Sequence, residues 1–361
     1  MDDHRRNEPI GRGAHINPAN RFAKTRLEPD FEQVQYDEDF VAESANPKTE
    51  YLPDDSRSIV TENDSPDVPF RYSLNPYRGC SHGCSYCYAR PTHEYLGFSA
   101  GLDFETKVLV KHKAPELFRE FLSRSSWQTE VIALSGVTDC YQQVERELQL
   151  TRRCLELALE ARQPLGIVTK NALVVRDLDL LRPMATLGIV HVSISLTTLD
   201  QSLTKTLEPR TSSPEARLRA IRALSEAGVP AAVLLAPVIA GLTDSEIPAI
   251  LAAAAEAGAR SAGYQLLRLP RCVGPIFLEW LSRTHPLQRR RVETMIRSTH
   301  GGRLSSSGFG ERMSGSGVLA EQIGQLFRTF ARTHGLDGNL PPYDCDQFRA
   351  LPSGKGQLRL F

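Results

Sequence analysis

No run of about 18 or more apolar residues occurs in this 361-residue chain, which excludes a membrane-spanning helix. The strongest stretch, 230–242, is too short and carries two prolines. The first seven residues are polar and charged, where a secretory leader needs an apolar stretch. Net charge is also absent, 43 basic residues balancing 43 acidic ones. Gly and Pro, at 25 and 23, stay near ordinary frequency, so collagen-like and low-complexity chains are excluded. Cysteines number seven. A cytoplasmic location is expected. In that reducing compartment the thiols suit metal or catalytic roles better than a disulfide framework.

What the chain does contain is unevenly distributed. Residues 1–65 hold 15 Asp and Glu against 8 Lys and Arg and lack apolar periodicity. They read as an acidic, largely disordered arm. Gly11-Arg12-Gly13 and the run from Asn17 to Phe22 are the specific-looking exception. Within 289–335, eight Arg face three Glu with no Lys or Asp. That is either a basic stripe suited to phosphate or a solvated face.

From about residue 68 the pattern alternates. Short branched, apolar runs at 71–74, 131–135, 165–169, 190–195, 231–237 and 261–267 predict strands buried on both faces. Helical periodicity fills the gaps at 148–162, 176–187 and 247–257. A further helix opens at Ser213-Pro214-Glu215 and closes at Gly228. Six such units make an α/β fold, either a partial (βα)6 barrel or an open sheet, with chemistry at the carboxyl ends of the strands. The expected divisions are the arm at 1–65, the α/β domain at 66–275, a C-terminal extension at 276–351 and a flexible tail at 352–361. The extension holds a Ser/Gly-rich loop over 305–317 and a helix over 318–334.

The loop after the first strand carries Cys80-x3-Cys84-x2-Cys87. Soft thiolates at this spacing suit iron or zinc. Closed tetrahedral zinc needs a fourth ligand, and the one nearby candidate, His82, sits awkwardly between two cysteines. Three thiolates that leave one iron open fit better. Cys80-x3-Cys84-x-Tyr86-Cys87 resembles the signature of the radical S-adenosylmethionine (SAM) enzymes, and within them the spore photoproduct lyase-like group. The resemblance covers roughly 68–275 and implies the partial barrel. It implies that Cys80, Cys84 and Cys87 hold a [4Fe–4S] cluster whose fourth iron binds SAM. It also implies reductive cleavage of SAM to a 5′-deoxyadenosyl radical, fed by an external reductant such as flavodoxin or ferredoxin.

Further segments support the resemblance: Ser135-Gly136 after the second strand, Lys170 after the third, Ser193 and Ser195 in the fourth, and Glu208-Pro209-Arg210 beyond it. Gly136 lets backbone approach a ligand. Lys170 and Arg210 suit a carboxylate. Ser193 and Ser195 share one strand face. With Tyr86 these are the expected SAM-binding residues. The lyase-like group places a hydrogen-donating cysteine where this chain has Gly136, so Cys140 is the candidate donor, from a shifted position. Cys154 reads as core, and Cys272 and Cys345 lack the partners for a second cluster. Tyr88, Tyr95, Tyr141 and Arg268 are candidates for the mouth of the site. The tail Gln357-Leu358-Arg359-Leu360-Phe361 resembles the peptide by which bacterial repair proteins bind the sliding clamp, through Gln357, Leu358, Leu360 and Phe361. Together these imply an enzyme acting on DNA or another nucleic acid. The alternatives are a protein or small-molecule substrate, and a redox-sensing binding protein.

Overall fold

A computed structural model describes residues 11–23, 47–306 and 308–352. Its strands are β1 (Glu50–Pro53), β2 (Val60–Glu62), β3 (Tyr72–Leu74), β4 (Tyr77–Arg78), β5 (Lys107–Val110), β6 (Ile132–Leu134), β7 (Leu165–Thr169), β8 (Val190–Ser195), β9 (Ala231–Val238) and β10 (Ser261–Leu266). The helices are α1 (Leu102–Thr106), α2 (Ala114–Leu122), α3 (Glu145–Leu148), α4 (Leu150–Ala161), α5 (Leu178–Thr186), α6 (Gln201–Leu207), α7 (Pro214–Glu226), α8 (Ile247–Glu256), α9 (Val273–Thr284), α10 (Arg289–Ser298) and α11 (Val318–Thr333).

All six expected strands form, in the order β10-β9-β8-β7-β6-β3, every pair parallel. β2 adds an antiparallel edge. The outward faces explain why these segments are strands. Ile132, Leu134, Ile167, Val192, Ile194, Val233 and Leu235 are at most 1% exposed beneath the helices. Each such side chain contributes about 1.5–3 kcal/mol by leaving water. The helices begin and end where local chemistry directs. For α7, the Ser213 hydroxyl accepts from the Ala216 amide at 3.2 Å, and Gly228 closes it with a φ of 76°.

The inward faces are different. Register sets Ser73, Ala133 and Gly166 side by side, and Ser193 beside Ala232. These small residues leave the barrel interior open. A second sheet, β1-β5-β4, stands beside the barrel; β1 runs parallel to β5 and β4 antiparallel to it. β4 leads directly into the cysteine loop. Residues 308–313 bridge β10 and the loop before β3. The Leu266 amide donates to Met313 O (2.9 Å), the Gly310 amide donates to the Asp67 carboxylate (2.6 Å), and Arg312 pairs with Asp67.

The reading of 1–65 as a disordered arm needs correction for its described parts. β1 and β2 are paired, and Gly11, Gly13 and Ala14 are buried. The reason is polar: their partners are carboxylates and carbonyls, which an apolar periodicity does not reveal. The C-terminal stretch 336–352 has no regular structure but seals the base of the barrel. Its Asp344, Arg349 and Leu351 amides donate to Gly188, Ala161 and Leu122 carbonyls at 3.0, 2.8 and 3.2 Å. Tyr343 lies 3.9 Å, centroid to centroid, from His191 inside that base.

Burial pushes His191 down to about 4, partly opposed by the Pro341 carbonyl. The unfolded chain, with an ordinary His near 6.5, therefore binds the extra proton between those values, and stability falls as pH drops from 6.5 toward 4. Thermal melts across that window will show the fall, and His191→Phe will flatten it.

Candidate active site

The cysteine loop is held in shape by one arginine. Arg90, in the 3-10 turn Arg90–Leu96 after Cys87, is fully buried. Its Nε donates to Cys84 O (3.1 Å) and Nη1 to Gly101 O (2.8 Å). Its Nη2 donates to Cys84 O (2.9 Å) and to the buried carboxylate of Glu105 in α1 (2.8 Å). The Cys80 amide donates to Phe104 O (2.9 Å), the Ser81 amide to Gln142 Oε1 (2.9 Å) and the Ser85 amide to Leu207 O (3.0 Å). Gly79 and Gly83 take positive φ, 80° and 67°, where a side chain would be strained.

Cys80, Cys84 and Cys87 line one cavity at the carboxyl ends of the strands. That cavity encloses about 950 Å³, its open mouth included. Burial pushes the Cys80 thiol up to about 12 and raises Cys84 and Cys87 as well. The backbone N–H groups of Asp139 and His82 partly offset that rise at Cys80, as those of Ala89 and Arg90 do at Cys87. Thiolates here need a cation to neutralise them and have N–H donors ready. Among the described residues no group of three or more His, Cys, Asp or Glu side chains converges closely enough to chelate a single ion. A cube asks for something else, one thiolate to each of three irons, and thiols spread along one cavity wall meet that need. His82 is not a fourth ligand in waiting. Its ring lies 3.5 Å from the Asp139 carboxylate and 3.4 Å from the Asn171 amide nitrogen, and burial keeps it neutral.

Two carboxylates organise the wall. Asp139 accepts from the Thr169 hydroxyl (2.7 Å), the Lys170 amide (2.8 Å) and the Tyr141 amide (2.9 Å), tying the loop after β6 to the end of β7. Glu208 accepts from Tyr86, from Thr197 (2.8 Å) and from the buried Arg217. Burial alone would raise Glu208, but Arg217 and Lys170 overcome it and hold the group down to about 2. Glu208 is therefore ionised throughout the neutral range. It fixes the Tyr86 ring against the cluster loop.

The expected cofactor residues divide. Tyr86, Ser135, Lys170 and Ser195 line the cavity with the three cysteines. Lys170 Nζ donates to Ala236 O at 3.1 Å. Ser135 takes a φ of 81°, and its hydroxyl donates to Thr138 O (2.6 Å), so it shapes the turn. Gly136 sits beside the cavity wall, its carbonyl accepting from the Tyr88 hydroxyl at 2.7 Å. Ser193 has the inward orientation but lies one layer below Ser195 and outside the lining. Arg210 also lies outside it, donating to Gln143 at 3.2 Å. The buried, ion-paired member of that segment is Glu208, with Arg217 as its cation. Cys140 needs correction as a hydrogen donor: its side chain is fully buried in the main core and does not reach the cavity. Tyr141 is likewise core, donating to Asp177 at 3.0 Å, and Tyr95 is an exposed residue stacked on Phe22, away from the mouth. Cys154 is core as expected. Tyr88 and Arg268 do stand at the mouth, the guanidinium 5.0 Å from the ring centroid. The roles of Asp139, Asn171, Arg217, Arg90 and Glu105 escaped sequence reading because their pairings, such as Arg90 with Glu105 and Arg217 with Glu208, depend on turns and burial that no local periodicity reveals.

Replacing Arg90 by Met strands the Glu105 charge in a dry site. Unfolding in urea should register a loss of about 3–5 kcal/mol. Adding Glu105→Gln should recover part of that loss, and simple additivity of the two substitutions would contradict the pairing.

The family model described as the Radical SAM superfamily matches residues 74–254. An uncharacterized protein of Mycobacterium tuberculosis (strain ATCC 25618 / H37Rv) is 42% identical over 232 residues, 64% of this chain and 68% of that protein. Another, from Methanocaldococcus jannaschii, is 31% identical over 176 residues, 49% of this chain and 63% of its own. Among solved structures, spore photoproduct lyase complexed with dinucleoside spore photoproduct is similar with a TM-score of 0.56 at 16% identity, covering 88% of this chain and 86% of that one. At that identity the likeness speaks for the fold. The family match runs from the last residue of β3 into α8, half of the chain, and the chain belongs to the radical SAM superfamily.

Proposed function

We propose that this radical SAM enzyme acts on a nucleic acid, at a damaged or modified base. Held by Cys80, Cys84 and Cys87, a reduced [4Fe–4S] cluster would supply the electron for the reductive cleavage of bound SAM, and with it the radical chemistry of the family. An external reductant such as flavodoxin or ferredoxin provides that electron. The chain's own part is to hold and to exclude water. Cys80, Cys84 and Cys87 hold the cluster. Lys170 and Ser195 face the space for SAM, and Lys170 suits its carboxylate.

The observation that carries the substrate class is the mouth. Tyr88 is 44% exposed, and Arg268 stacks over it with a buried Nε that has no hydrogen-bond partner. An aromatic face and a planar cation at the rim suit a base taken out of its stack. Arg289, Arg290, Arg291 and Arg303 are exposed. The first three belong to α10, whose Val292 and Ile296 share a core with Cys84 and Tyr86. The fold likeness to a lyase complexed with a dinucleoside photoproduct supports the reading by analogy.

Recruitment by the sliding clamp through Gln357, Leu358, Leu360 and Phe361 is part of the same proposal. Those residues lie outside the described ones.

Anaerobic reconstitution with SAM and dithionite should yield 5′-deoxyadenosine, and Cys80→Ala, Cys84→Ala or Cys87→Ala should abolish it. Full SAM cleavage by any of the three would sink the cluster assignment. Loaded protein should bind DNA with an affinity that falls steeply with salt, and Arg290→Ala with Arg291→Ala should flatten the slope by about 2. Consumption of a damaged oligonucleotide identifies the substrate; salt-independent binding points to a protein or small molecule instead. Removing 357–361 should leave SAM cleavage intact and abolish clamp binding in a pull-down. A clamp that never binds the full chain refutes the recruitment.

A further inference from the structure

Residues 11–20 take no part in the chemistry above, yet they are built onto the outer side of the cysteine loop. The Glu105 carboxylate that pairs with Arg90 also accepts the Arg12 amide at 2.6 Å, the Gly13 amide at 3.3 Å and the Ala14 amide at 3.4 Å. The Arg12 guanidinium then donates to Ser81 O at 3.3 Å, to Glu105 O and to the Thr49 hydroxyl. Farther on, Asn17 Oδ1 accepts the Leu102 amide (2.8 Å), and Asn20 donates to Glu94 O (3.0 Å) and Phe98 O (2.9 Å). One short segment without regular structure thus grips the loop, the turn that follows it and α1.

The fit leaves no slack. A Cβ on Gly13 would fall 1.8 Å from Gly83 O, and Gly83 itself lies between Arg12 and Glu105. Gly101, on the facing side, would put a Cβ 2.1 Å from Ile16 O. Glycines are needed here for close approach of two backbones, which explains Gly11-Arg12-Gly13 and the Asn-rich run behind it. Burial lowers Arg12 to about 10, still charged at neutral pH.

We propose that residues 11–20 are a clasp that positions the cysteine loop through Glu105 and Ser81 and screens the outer side of the cluster. The segment supplies no ligand. It fixes the backbone from which the ligands project, as outer-shell partners do in other metal sites. This rests on the cluster assignment and deepens it.

The test uses the full chain, reconstituted anaerobically and reduced, with iron release to a ferrous chelator followed by absorbance. Gly13→Val forces the segment off, and Arg12→Ala removes its charged bonds. Each should release iron about tenfold faster than the parent, the scale set by losing a charge-assisted hydrogen bond. Arg12→Lys keeps the charge without the fork and should fall between. Melting of each protein by circular dichroism supplies the control, with Leu251→Ala on the far side of the barrel as a core variant. Parent-like release in both Gly13→Val and Arg12→Ala overturns the clasp. So does equal acceleration in Leu251→Ala at a matched melting temperature. A parent chain that takes up no iron overturns the cluster assignment and the clasp together.

Discussion

Arg90 and Glu105 form an ion pair in a dry site, and the catalytic end of the barrel depends on it. An irregular loop cannot satisfy its own carbonyls, and this one must also turn three thiols to one side. The Arg90 fork serves as its secondary structure, donating to four backbone carbonyls of Gly83, Cys84, Ala100 and Gly101 as well as to the carboxylate. Burying two charges costs several kcal/mol each. The cost is offset because every donor of the fork is used and Glu105 collects backbone amides on its other side.

Above that foundation the cavity wall is polar and the barrel behind it apolar. Asp139, in the loop after β6, and Glu208, at the end of α6, are each surrounded by donors from other elements. Lys170, with one bond to a strand carbonyl, keeps donors available. The layout separates support from service: carboxylates hold the frame, and cations and hydroxyls face the space.

The six strands and the principal helices were legible because period two and period 3.6 are properties of neighbouring residues. What escaped was non-local. β1, β4 and β5 are two to four residues long; β1 pairs with β5 across more than fifty positions and β4 with β5 across more than thirty. The helices α9 and α10 lie almost wholly in the stretch read only as a C-terminal extension, and Trp280 there is fully buried, its indole N–H on Thr206 O at 2.9 Å. Ser193 was placed on the right face but one layer too deep, about 7 Å along a strand. Arg210 and Arg217 are indistinguishable by composition. Only the fold shows that the second is buried against Glu208 while the first turns to Gln143. Cys140 lies close in sequence to Ser135, but the turn after β6 sends it inward to the core.

The base of the barrel has a consequence for the order of events at the ribosome. The contacts of Arg12, Arg90 and Glu105 with the cysteine loop lie within the first 105 positions, and those of Gln142 and Leu207 are complete by position 207. The seal beneath the strands waits for Tyr343, Arg349 and Leu351 to emerge. Nearly the whole polypeptide must leave the exit tunnel before the barrel floor closes, so the metal-receiving end can take shape on a nascent chain whose opposite end is still open to solvent and to chaperones.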